Sequence, residues 1–214
     1  GMPEEMIEIV HGDTGRGPMG MGTYGSRSIA VGGAAMVRAT EKIIAKATRI
    51  AAHLMEASHE DVEFKDGMFS VAGTDKQVDF GSVALSAYVP HNYPLETLEP
   101  GLEETAFYDP SNFTYPAGAY ACEVEVDEDT GVVEIASFAA ADDFGNISNP
   151  RSVDGQVHGG IGQGIGQALL ENCVYDENGQ LASGSFMDYA MPRADDLPMY
   201  TVDHSSITPC THNP

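Results

Sequence analysis

The alternation of apolar and polar residues divides the chain into a few clear elements. Met36, Ile43, Ala47, Ile50 and Leu54 recur at steps of three, four and seven, which predicts a helix over 29–57 with one buried face. Arg38, Glu41, Lys42 and Arg49 fall off that face. In "DVEFKDGMFSVAG" (61–73), Val62 and Phe64, then Phe69 and Val71, alternate around Lys65-Asp66-Gly67, the pattern of a hairpin. Residues 79–89 suit a short helix, and the prolines at 90, 94 and 100 then impose a long loop to about Asn112. The clearest β signal is 120–143. There Val124 and Val126 face Val132, Val133 and Ile135 across a turn at Asp129-Thr130-Gly131. "SVDGQVHGGIGQGIGQALLENCVY" (152–175) reads as glycines running into a second long helix. A hairpin at Glu177-Asn178-Gly179, an extended stretch over 187–198 and a strand opening the tail complete the pattern. Hairpins interspersed with separate helices predict an α+β fold with mixed sheets and two main helices.

Composition narrows what such a fold could do. Ten basic residues against 33 acidic ones leave a net charge of −23 over 214 residues. That surface repels phosphate backbones and anionic lipid, which argues against nucleic-acid or membrane-surface binding. Cys122, Cys173 and Cys210 are widely spaced and form no CxxC, the usage of buried free thiols in a reducing compartment. No apolar run of membrane-spanning length and no secretory leader occurs in the sequence, so the expected location is cytoplasmic. The seven histidines form no HxH or HxxxH pair, and no protein-held metal site is expected.

Two segments carry candidate chemistry. "GMGTYGSRSIAVGG" (20–33) places five glycines and several hydroxyls before the first helix. A helix start exposes unpaired N–H groups and a partial positive charge, and glycine lets a ligand come close. Thr23, Ser26 and Ser28 add hydroxyls, and Arg27 adds a fork suited to phosphate. In the second segment Gln156, Gln163 and Gln167 supply amides suited to the edge of a heterocycle. A nucleotide-like or pterin-like ligand fits the pair, and so does plain close packing of helix on strand. Neither segment matches a phosphate-loop or a dinucleotide-fold fingerprint in context. Asp142-Asp143 and Asp195-Asp196 are adjacent, so on a strand each pair splits across two faces.

Taken together, "GDTGRGPMGMGTYGSRS", "FTYPAGAY", "AADDFGNISNP", "DGQVHGGIGQGIGQALLE", "MDYAMPRADDLP" and "TPCTHNP" resemble the molybdenum-binding large subunits of the xanthine dehydrogenase/aldehyde oxidase family. "TPCTHNP" points to the members that oxidise carbon monoxide. The resemblance implies the molybdopterin-binding domain fold and a molybdopterin cytosine dinucleotide cofactor, with copper beside the molybdenum in the CO-oxidising type. By position it implies that Thr23, Tyr24, Gly25, Ser26, Arg27 and Ser28 hold the pterin and its phosphate. Gln156 would reach the pterin close to the metal, and Asp142, Asp143 and Gln163 would lie toward the dinucleotide.

The resemblance further implies partner subunits carrying 2Fe–2S clusters and FAD, an oligomeric assembly, and a cytoplasmic enzyme that can sit at the inner face of the membrane. Residues 2–214 would be a C-terminal portion of the molybdopterin-binding domain, stopping before the glycine-rich segment with the catalytic glutamate, with a sub-boundary in the 90–112 loop. No catalytic base and no metal ligand is then expected here, and the piece alone, with half of the cradle missing, would be inactive and without its cofactor. The rival reading is a cofactor-free structural or interaction piece of a related hydroxylase that acts on an aldehyde or an N-heterocycle.

Overall fold

A computed structural model describes residues Met2–Thr211. The fold is α+β and divides into two compact units, the first running to Ser111 and the second covering Asn112–Thr211. The division falls at the end of the proline-punctuated loop.

In the first unit, residues up to Ser26 are exposed throughout, and a single wide π-type turn over Ser28–Gly33 leads into α1 (Ala34–Leu54). The helix therefore starts with a distorted turn, a form common at functional sites. It also ends earlier than the periodicity suggests, in a complete Schellman motif. The Ala57 N–H donates to the Ala52 carbonyl and the Glu56 N–H to that of His53, with Glu56 left-handed at φ 51°. Ala47 and Ile50 are buried as expected, whereas Met36 is exposed, because it lies across the first turn of α1 from the buried Ala34.

Strands β1 (Val62–Lys65) and β2 (Met68–Val71) pair with Val62 opposite Val71 and Phe64 opposite Phe69. Asp66 and Gly67 both have positive φ, 47° and 79°, as a type I′ hairpin turn requires. A short β3 (Gln77–Asp79) adds antiparallel to β2. Asp79 then caps α2 (Phe80–Tyr88) by accepting from the Ser82 N–H at 2.9 Å. Phe69 lies at the centre, fully buried between Phe64 and Phe80. The long loop is irregular, yet it is anchored. Tyr93, Leu98 and Leu102 enter the core, and Lys42 Nζ donates to the Thr105 carbonyl at 2.8 Å.

In the second unit, β4 (Ala117–Val126) and β5 (Val133–Asp143) form the long antiparallel hairpin, and β6 (Tyr200–Asp203) joins β5 in parallel. The register shifts once: Glu123 faces Ser137, but Val124 faces Ile135. The extra residue, Ala136, lets Ile135 and Phe138 share a face although they are three apart. Helix α3 (Pro150–Leu169) covers that face, and Val157, Ile161 and Ile165 pack over Ala140, Phe138 and Ile135. The predicted hairpin near 178 shrinks to one bridge, Tyr175 to Leu181, around a turn held by Asp176. Residues 187–198 are irregular with a 3-10 turn over Ala194–Asp196. Among the described residues no helix is long and apolar enough to cross a membrane.

Two expectations need correction. Helix α3 starts at Pro150, with Asn149 as its cap, so the glycines of "GGIGQGIG" lie inside the helix rather than at its mouth. Their N–H groups belong to the helical ladder and do not face a ligand. Lastly, Cys122, Cys173 and Cys210 are all exposed, on surfaces that the described residues of this unit leave open.

Candidate cofactor-binding segments

In the first unit, the loop before α1 is built by glycine and by unusual backbone angles. Gly22, Gly25 and Ser26 all have positive φ, at 77°, 59° and 52°. A Cβ on Gly20, Gly22 or Gly25 would meet nothing within 4 Å, so the loop presents open backbone. Ser26 holds a left-handed conformation that costs a non-glycine residue roughly 1–2 kcal/mol. Such strain concentrates at ligand clamps. Its side chains hold one another: Ser28 Oγ donates to Thr23 Oγ1 at 3.2 Å. The Arg27 guanidinium lies 5.4 Å from the centre of the Tyr24 ring and donates to its hydroxyl at 3.4 Å. Thr23, Tyr24, Gly25, Ser26, Arg27 and Ser28 therefore form one local cluster of hydroxyls and a cation, which suits an anionic, planar group.

In the second unit, α3 presents three parallel rows of side chains. Asp154, His158 and Gly162 face β6: His158 packs edge-on to Tyr200, and Asp154 Oδ1 lies 3.5 Å from His204 Nδ1. The row Val157, Ile161, Ile165 sits on β5. The third row, Gln156, Gly160, Gly164 and Ala168, faces β4 across a groove of about 600 Å³. On the strand side the groove is lined by Tyr120, Cys122 and Val124, with Phe144 beside them, and no charged side chain lines it. Gln156 and Tyr120 are its polar groups. Gln163 is exposed on α3 and does not line this groove.

Asp142 and Asp143 part to opposite faces, as adjacency on a strand demands. Asp142 is 6% exposed. Its Oδ1 accepts from the Tyr120 hydroxyl at 2.7 Å, while Oδ2 is buried with no protein donor. Gly118 sits opposite, where a Cβ would collide with that carboxylate. The hydrogen bond to Asp142, with lesser help from burial, pushes the Tyr120 phenol above its usual range. Asp143 accepts from the Thr208 hydroxyl and from the Gly145 and Thr208 N–H groups at 3.0 and 3.1 Å. Those donors, the Thr208 hydroxyl first, hold its carboxyl below the usual carboxylate range. Asp143 thus ties the tail to the end of β5. Of "TPCTHNP", His212, Asn213 and Pro214 lie outside the described residues.

The predicted residues thus form two groups in different units: the 23–28 cluster in the first, and Gln156 with Asp142 and Asp143 in the second. Sequence reasoning missed Tyr120 and Thr208. Tyr120 opens the alternation that continues through Cys122 and Val124, so its face was readable, but its bond to Asp142 depends on strand register.

Known proteins resemble this chain in sequence and in fold. The family model described as a molybdopterin cofactor-binding domain matches residues 1–198. The chain belongs to the molybdopterin cofactor-binding domain family. The chain is 42% identical, over its whole length, to the carbon monoxide dehydrogenase large chains of Hydrogenophaga pseudoflava and Afipia carboxidovorans. It spans only 26% of each. A nicotine 6-hydroxylase large subunit from Paenarthrobacter nicotinovorans is 37% identical over 95% of the chain and 25% of that subunit. The fold superposes on a Cu,Mo-CO dehydrogenase with a TM-score of 0.79 at 42% identity, covering 94% of this chain and 25% of that one. It superposes equally well, at 37% identity and the same two coverages, on quinoline 2-oxidoreductase from Pseudomonas putida 86.

Proposed function

We propose that this chain is part of the cofactor-binding subunit of a molybdenum hydroxylase that oxidises carbon monoxide with water, yielding carbon dioxide, two protons and two electrons. The observation that supports it best is the 42% identity to two carbon monoxide dehydrogenase large chains across all 214 residues. The cofactor on this reading is molybdopterin cytosine dinucleotide with a copper partner, and electrons leave through 2Fe–2S and FAD on companion subunits. When bound, the cofactor supplies the redox centre, and the protein supplies binding and orientation.

The residues present fit such a group. Thr23, Ser26, Ser28 and Arg27 offer hydroxyl and guanidinium donors to a phosphate, while Gly25 leaves room for the ring system and Tyr24 positions Arg27. Gln156 both donates and accepts, which matches the mixed edge of a pterin. Gln163 takes the dinucleotide side in the same way. The orphaned Asp142 Oδ2 suits an amino donor, whereas Asp143, already saturated by Gly145 and Thr208, acts by fixing the backbone. None of these residues carries a proton in the reaction. Their work is to hold and to orient.

The likeness to quinoline 2-oxidoreductase, equal in TM-score, favours hydroxylation of an N-heterocycle as the second reading. Full-length enzyme, purified with its companion subunits, separates the two: dye reduction driven by CO supports the first, and reduction driven by quinoline but not CO supports the second. Release of cytidine monophosphate on acid hydrolysis tests the cofactor's form. Its absence from an active preparation would contradict the cytosine dinucleotide.

A further inference from the structure

Among the described residues of this unit, none fills the groove between β4 and α3. Gly162 and Gly166 have reasons inside the unit: a Cβ at Gly166 would fall 2.8 Å from the Pro192 ring, and one at Gly162 would fall 3.4 Å from Leu197. Gly160 and Gly164 have none. They face the groove, and a Cβ on either meets nothing within 4 Å, although glycine weakens a helix. Opposite them, Tyr120 and Val124 stand 56% and 51% exposed on an edge strand. A surface that gives up helix stability for bare backbone, and sets apolar side chains across from it, is shaped for close approach by something outside the chain.

We propose that the groove seats an apolar, uncharged polypeptide segment of the same subunit, drawn from the part of the relatives' length that these 214 residues do not span. This rests on the reading of the chain as part of a longer large subunit, since it covers 26% of the carbon monoxide dehydrogenase large chains. Gln156, the amide assigned to the pterin, stands at one end of the row; beyond it the groove has no charged lining side chain, so its apolar length offers no counter-charge to an anionic cofactor. A second copy is disfavoured, because each chain carries a net charge of −23.

Cys122 lines the groove and is exposed here, so it serves as a probe. N-ethylmaleimide labelling would be followed by peptide mass spectrometry in the full-length subunit. It would be compared in the assembled holoenzyme, in the monomeric subunit separated from its companions, and after cofactor extraction. The expected result is Cys122 labelling at least about 100-fold slower than in urea in all three states. Labelling at the open-thiol rate in every state overturns the proposal. Protection in the holoenzyme that is lost on separating the subunits assigns the groove to another chain. Protection lost on cofactor extraction assigns it to the cofactor, and both outcomes refute a same-subunit segment. Gly164→Leu in the full-length subunit should lower its melting temperature and speed Cys122 labelling at least tenfold. No change in either also counts against the proposal. A full-length protein without molybdenum would defeat the functional reading while leaving the labelling result intact.

Discussion

Asp142 and Asp143 are neighbours in sequence with opposite fates. The lowered Asp143 carboxyl stabilises the fold while it is ionised, above its ordinary value of 3.8, and that stability is lost as pH falls through its lower folded value. Asp143→Asn should therefore shift the acid-unfolding midpoint, followed by circular dichroism, upward, and Thr208→Val should reproduce part of the shift. A variant that unfolds at the wild-type pH contradicts the tie. Asp142 depends instead on one hydroxyl, from Tyr120. Tyr120→Phe leaves that buried carboxylate without its donor and should cost about 1–3 kcal/mol in urea unfolding, whereas a change within error would show that water replaces the phenol. The identities of both aspartates, and the split across two faces, were legible from adjacency alone. Which of them is buried was not, because burial follows from where α3 lands.

Elements defined by local chemistry could be read correctly. Asp66-Gly67 required a type I′ turn, and both residues have the positive φ that it needs. The short helix expected over 79–89 forms, and Asp79 caps it by accepting from the Ser82 N–H. Helix α3 starts earlier than the string of glycines suggests, because Asn149-Pro150 is a strong cap-and-first-turn pair. The shift at Ala136 left no trace in the alternation because it depends on the partner strand. The end of α1 offers its own test. Glu56 occupies the left-handed position that a Schellman motif usually gives to glycine. Glu56→Gly should raise stability by about 1 kcal/mol, and a loss of stability would mean that the glutamate makes a contact which offsets its strain.

At the scale of the whole molecule, charge and exposed apolar surface set the behaviour. With a net charge of −23, the folded chain repels itself, so its melting temperature should rise between about 0.05 and 0.5 M sodium chloride. A melting temperature that falls with salt would show that ion pairs outweigh repulsion. Met19, Met187 and Met199 are each more than nine-tenths exposed, and the cysteines expected inside are outside. Composition cannot tell a free surface from one that a larger subunit would cover. The chain's share of its relatives' length gives that exposure its setting.

The most direct measurement is the molybdenum and cytidine monophosphate content of the full-length enzyme carrying Ser26→Val, Arg27→Ala or Gln156→Ala, each purified alongside the unaltered enzyme. Cofactor content should fall at least tenfold on removing Arg27 and severalfold for each of the other two, with the thermal melt of the polypeptide little changed. Full cofactor content in all three variants would mean that neither the glycine-rich loop nor the α3 amide holds the pterin.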